Sequence, residues 1–198
     1  VVLYHPLLNF AIISVMFLVT FSLTIVAPII PLFMRQFVSK DAFVGYVFSF
    51  NSVILILSAL VMDVVLKRVS KVRFLKVGLF GYFVSFLFFP LVRNLPQLLA
   101  LSFVRMFLST AVIVTLGLLI RESVKKSGIG KAEGFFFMVL NLAWLIGPVV
   151  GGSFAGEFGF NWSFVFASVF SLLAFVVIMV RNPYVMHVPQ SDHDHIME

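Results

Sequence analysis

Six continuous apolar runs divide this sequence, at about 7–33, 43–66, 74–92, 95–120, 135–154 and 160–180. Each is near or above the roughly 20 residues that an α-helix needs to cross about 30 Å of hydrocarbon. A transmembrane strand would instead read as a segment of about ten residues with alternating polarity. In lipid, only helices and closed barrels satisfy every backbone N–H and C=O. The runs therefore predict an all-α integral membrane domain over residues 1–182, a six-transmembrane-helix bundle. Composition agrees. The chain is 62% hydrophobic and 11% charged, against roughly 45–50% and about 25% in soluble domains. A soluble fold has nowhere to bury this much Phe, Leu and Val. The first run is too long for a cleavable signal peptide and is expected to remain as a span. The chain opens on Val1 and not on Met, as a segment of a longer reading frame would.

Short polar breaks separate the spans, and their Lys and Arg residues fall unevenly. One side receives Lys67, Arg68, Lys71, Arg73, Lys76, Arg121, Lys125, Lys126, Lys131 and Arg181; the other receives Arg35, Lys40 and Arg93. With Arg105 at mid-membrane, these account for all 14. The positive-inside rule places the larger group, and both termini, in the cytoplasm. The net charge of +6 is thus a topology signal, with a secondary pull toward anionic lipid, and no nucleic-acid partner is expected. Residues 183–198 form a polar tail expected to be disordered and cytoplasmic; its Asp192, His193, Asp194 and His195 are read as solvated, with no metal site. The absence of cysteine excludes disulfides and thiolate chemistry.

The stretch AWLIGPVVGGSFAG, residues 143–156, places helix-breakers inside an apolar run. Ala143, Gly147, Gly151 and Ala155 recur every four residues and form a stripe along one helix face. Such stripes let membrane helices approach closely, where no hydrophobic effect drives association. Pro148 removes the helical partner of the Trp144 carbonyl, so a kink is expected there, and Gly151–Gly152 would permit further bending. Generic packing is the alternative reading of the stripe.

Ala143-x-x-x-Gly147-Pro148-x-x-Gly151-Gly152 resembles the fifth-helix motif of the major facilitator superfamily, GxxxGPxxGG, with Ala at the first Gly. That motif is associated with the family's drug/proton antiporter branches. The long basic loop before the fifth span, Gly134 at that helix start, and GEFGFNWSFVF with Trp162 opening the sixth span are also similar to the family. The resemblance covers the whole chain as the amino-terminal six helices of a twelve-helix transporter. It implies two inverted three-helix repeats with a substrate site near the bilayer midplane, and it makes residues 183–198 the start of a central loop. The segment SALVMDVVLKRVSKVRFL resembles the family's loop motif GxLaDRxGRR only in part. Ala59, Val64 and Leu66 replace the first Gly, the Arg and the second Gly; Asp63 matches the Asp, and Lys67 and Arg68 match the closing basic pair. The resemblance implies that Asp63, Lys67 and Arg68 form a conformational latch against the other half. The alternative is a local pair of Asp63 with Lys67 or Arg68 that ends the span.

Arg105 lies about ten residues into the fourth span, with Ser102 and Ser109 at i−3 and i+4. A mid-membrane Arg costs roughly 2.5–3.5 kcal/mol on insertion scales, so such residues face a cavity or a partner. The resemblance implies a role in substrate or proton handling; snorkelling or a static contact is the alternative. The first span carries Thr20, Thr24, Pro28 and Pro31 but no acid to pair with it. An anionic substrate, Asp63, or an acid on a second half remain as counter-charges. Thr20, Thr24, Asn51, Asn141 and Arg105 are the candidate substrate or proton pathway, with Thr24, Arg105 and Asn141 expected along one open groove. Interhelical packing is the alternative for the Asn and Thr residues. Gly147, Pro148, Gly151 and Gly152 are the candidate hinge or interface with the other half.

These observations predict a secondary active transporter of small solutes. It exports by proton-coupled alternating access in the plasma membrane, and its partners are lipids, a small-molecule substrate, protons, and a carboxy-terminal half or second copy. No cofactor, metal or catalytic set is predicted. A non-transporting membrane scaffold or assembly protein is the rival, followed by a membrane-embedded enzyme, for which no cluster of acids, His or Ser at one depth is evident.

Overall fold

The computed structural model describes residues 6–38, 41–122, 124 and 128–180. The tail, Lys40, Lys125, Lys126, Arg181 and the Asp63 side chain lie outside the described residues. Among these described residues seven α-helices follow in order: α1 Pro6–Val26, α2 Ile29–Met34, α3 Asp41–Leu66, α4 Lys71–Phe88, α5 Leu95–Glu122, α6 Ile129–Phe158 and α7 Phe160–Val180. They make six stretches long and apolar enough to cross a membrane, since α1 and α2 together form the first. The chain is an integral membrane protein with no strands among its described residues.

Prolines set the breaks. Pro28 and Pro31 each lack an N–H, so the carbonyls four residues back lose their helical partners and the first span turns between α1 and α2. After α4, a 3-10 turn over Phe89–Leu91 contains Pro90. Two bonds start α5: the Asn94 side chain accepts the Gln97 N–H at 3.0 Å, and the Gln97 side chain accepts the Arg93 N–H at 3.0 Å. Gly159 alone separates α6 from α7, with φ of 84°; that left-handed conformation favours glycine. Pro148 does not interrupt α6.

Two helices run past their apolar cores. The third span begins at Lys71 and not near 74, and the fifth runs Ile129–Phe158 and not 135–154. Gly134 therefore lies inside α6, not at its start. At 1.5 Å per residue, α6 extends about 45 Å, the thickness of a bilayer with its headgroup regions. Its first turns carry Lys131 and Glu133, which a hydrocarbon-length reading assigns to a loop.

The packing has an internal symmetry. The first span packs on the fifth and sixth, the fourth packs on the second and third, the third meets the sixth, and the first meets the fourth. These most extensive contacts are unchanged when spans one, two and three are exchanged with four, five and six; the lesser contacts of the fifth span with the fourth and sixth have no equally extensive counterpart. Each repeat has three crossings, so the second enters from the opposite face, as inverted repeats require. Small residues permit the close contacts. Ser163, Ala167, Ser171 and Ala174 are buried along α7, and Gly78 and Gly81 of α4 bring Val112 and Leu108 of α5 close to their backbone. Phe33, Phe89 and Phe164 close one end of the bundle, with the last two stacked at 4.5 Å.

Candidate functional site

Arg105 sits ten residues beyond the start of α5, about 15 Å along its axis, which is half the hydrocarbon thickness. The residue is 3% exposed. Its polar neighbour is Tyr82 of α4, whose hydroxyl stands beside the guanidinium and 3.5 Å from Ser22 Oγ of α1. Ser22 donates to the Val19 carbonyl at 2.7 Å. Ser109 and Thr110 turn their hydroxyls to the Met106 carbonyl of their own helix, each at 2.9 Å. Arg105 Nε and Nη1 have no hydrogen-bond partner among the described residues. The carboxylates described, Glu122, Glu133 and Glu157, stand at helix ends. The result is a buried cation at mid-depth, held between spans one, three and four without a carboxylate beside it among the described residues.

Thr24 belongs to a different contact. Its hydroxyl donates to the Ala143 carbonyl at 2.9 Å and lies 3.0 Å from that of Phe21. A Cβ on Gly147 would fall 1.9 Å from Thr24 Oγ1, and one on Gly151 would fall 1.9 Å from the Ile25 carbonyl oxygen. The small-residue stripe is thus used within this bundle, where it joins α6 to α1 backbone against backbone. The expected contact of that stripe with another half is not what these glycines make. Thr20, one turn below Thr24, is buried with its hydroxyl unpartnered among the described residues. Ser22 is about 200° around the helix from Thr20 and Thr24, so neither threonine shares its face toward Tyr82.

Asn51 of α3 is buried, whereas Asn141 of α6 is exposed. Thr24, Arg105 and Asn141 do not line one groove, because the first two are closed inside the bundle. Pro148 is half-buried, and Gly152 faces open space with nothing within 4 Å of its Cβ position. Of the latch residues, Lys67 and Arg68 are exposed beyond α3. Two ion pairs that the sequence reading missed tie helix ends nearby: Lys71 of α4 to Glu122 of α5, and Arg121 of α5 to Glu133 of α6 at 2.5 Å. A crevice of about 260 Å³ opens between α5 and α6 beneath the second pair, lined mainly by apolar residues such as Ile113, Gly117 and Phe136; Arg105 is not in its wall.

The sequence profile described as Major Facilitator Superfamily matches residues 12–195. The chain belongs to the major facilitator superfamily. Its fold is similar to crystal structures of the peptide transporter POT. A mutant of that transporter in complex with sulfate superposes with a TM-score of 0.78 at 16% identity, covering 93% of this chain and 39% of that one. The mutant in complex with alafosfalin gives the same score and identity and is covered over 40% of its length. The transporter without that mutation, in complex with sulfate, gives 0.78 and 16% as well. The chain therefore spans about two-fifths of the length of these structures. No curated protein matches it. At this identity the likeness shows the fold of the superfamily alone. Membership in a transporter superfamily sets the enzyme reading aside.

Proposed function

We propose that this chain is the amino-terminal half of a secondary transporter. It exports a small solute in exchange for protons by alternating access, from a plasma membrane in which both termini are cytoplasmic. The observation that carries the reading is Arg105, a cation closed inside a six-span bundle of the facilitator fold and lacking a carboxylate partner among the described residues. Insertion scales make such a residue expensive at the helix centre, and function is the usual reason to retain one. A second body is supported by exposure. The second and fifth spans, equivalent under the internal exchange, are the least buried of the six. Asn141 adds a polar side chain at mid-depth to the open face of α6.

In this mechanism the bundle rocks as one piece against the second body. The α1–α6 contact at Gly147 and Gly151 keeps spans one and five together during that motion. Arg105 acts as a fixed positive charge at the midplane, attracting anionic groups or poising a proton relay. Asp63, Lys67 and Arg68 serve as the cytoplasmic latch. One observation favours the scaffold reading instead: Thr24 is engaged in helix packing and shares no groove with Arg105.

Vesicles holding the full-length protein separate the two. Addition of a panel of small organic anions and cations under an imposed proton gradient should dissipate the gradient for at least one compound. Arg105→Ala should accumulate normally in the membrane and lose that flux. A variant that inserts and transports as well as the parent would refute the role given to Arg105.

A further inference from the structure

We propose that the crevice between α5 and α6 binds one anionic phospholipid, with its phosphate on Arg121 and the upper part of one acyl chain in the cleft below. The site stands apart from Arg105 and does not depend on the transport reading. From Ile113 to Arg121 the crevice follows two turns of α5, about 12 Å. Its depth is walled by Ile113, Val114, Gly117 and Phe136, and its mouth is the Arg121–Glu133 pair. The apolar run of α5 ends at the mouth, where headgroups begin. Apolar depth and charged mouth thus come in the order of a lipid. Phe137, also in the wall, is 58% exposed, so the cleft is open along the flank of α6.

The mouth has the chemistry of a phosphate site. Glu133 accepts from Arg121 Nε, and the Nη edge of the planar guanidinium is a second fork suited to an oxyanion. Arg121 is the more exposed partner, its side chain 59% accessible against 33% for Glu133. The cation is therefore what the membrane surface meets, and the carboxylate sets its direction. Lys131 is exposed on the first turn of α6, and both cations belong to the larger basic group at this end of the bundle. Basic pockets between spans favour anionic headgroups over zwitterionic ones. On the orientation proposed above, the lipid comes from the cytoplasmic leaflet. An ion pair this exposed contributes little by itself, so adjusting it around a headgroup costs little. Gly117 keeps the cleft open. A Cβ there meets only Phe136 Cζ, at an ordinary 3.7 Å, so a larger side chain suits the backbone and fills the space.

The test uses the full-length protein in phosphatidylcholine nanodiscs with a trace of phosphatidylglycerol that carries a diazirine near the ester end of one acyl chain. After photolysis, peptide mapping should place adducts on residues 113–121 and 133–137. Unlabelled phosphatidylglycerol should compete about tenfold better than phosphatidylcholine, and Arg121→Gln should cut the adducts about fivefold. Gly117→Leu should remove most of them at the parent's thermal midpoint; if it fails to fold, Arg121→Gln on the surface decides. Glu133→Gln should leave them undiminished, because its amide oxygen still accepts from Nε.

Adducts spread evenly over the exposed helix faces, or equal competition by phosphatidylcholine, would overturn the site. Absence of adducts in the crevice would also overturn it and assign the cleft to the second body. Adducts indifferent to Arg121→Gln would overturn the phosphate contact. Phosphatidylethanolamine competing as well as phosphatidylglycerol, with adducts lost in Glu133→Gln, would overturn the anionic assignment in favour of a headgroup of both signs.

Discussion

Gly151→Ala should loosen the bundle from within. The new Cβ would lie 1.9 Å from the Ile25 carbonyl oxygen, 2.7 Å from its carbon and 2.9 Å from its Cα. These are backbone atoms, so no rotamer change relieves them. Ordinary contact begins at 3.4 Å, and 3.4 minus 1.9 leaves 1.5 Å by which α1 and α6 must separate. Overpacking of this kind costs about 1–3 kcal/mol. Alanine returns up to about 1 kcal/mol of helix propensity, so a net loss near 2 kcal/mol is expected where the clash is at its most rigid. For a chain of this size each kcal/mol shifts the melting midpoint by about 2–4 °C, which gives a fall of about 4–8 °C. Thermal unfolding in lipid nanodiscs, followed by the fluorescence of Trp144 and Trp162, reads the change. Gly152→Ala is the control. Its Cβ meets nothing within 4 Å, so the same substitution one residue along should leave the midpoint unchanged or slightly raised. A Gly151→Ala protein as stable as Gly152→Ala would refute the backbone-to-backbone contact.

Three further outcomes follow from the same geometry. Thr24→Val keeps the side-chain shape and removes the donor to the Ala143 carbonyl; it should cost about 0.6 kcal/mol, the usual worth of such bonds in a bilayer, and a loss above about 2 kcal/mol in nanodisc unfolding would contradict this. Glu133→Gln and Glu122→Gln break partly exposed ion pairs; each should lower stability by less than about 1 kcal/mol, again by thermal midpoint, and a larger fall would mean the pairs hold the helix ends more firmly than surface charges do. Single cysteines at Ser70 and Asn94 should label from opposite sides of the membrane, Ser70 from the cytoplasm, and labelling from the same side would overturn the orientation.

Much of the fold can be read from the chain, because a bilayer restricts the choices. Six apolar runs of spanning length leave helices as the answer, and Pro28, Pro31 and Gly159 mark where the chain turns. Helix ends are less legible. Lys131 and Glu133 read as loop residues, yet they stand in the headgroup region, where a helix continues with its charged side chains in water. The stripe through Gly147 and Gly151 announces a close contact but not its partner, since a small residue accommodates whichever backbone arrives; here that backbone is α1 of the same bundle. The stripe of Ser163, Ala167, Ser171 and Ala174 on α7, at intervals of four, four and three, also keeps small residues on one helix face and was detectable by the same rule. Arg105 is visible as a charge out of place. Tyr82 is not, because a tyrosine within an apolar run looks like packing until the facing surfaces of three helices are known.

Alternating access is the central claim, and two-sided labelling tests it most directly. In a full-length protein cleared of any cysteine outside residues 1–198, Asn141→Cys should react with a membrane-impermeant maleimide from the outside and, in inverted vesicles, from the inside. Val139→Cys, buried two residues away, should react from neither. Labelling of Asn141→Cys from one side only, whatever the imposed proton gradient, would contradict a bundle that opens by turns to each face.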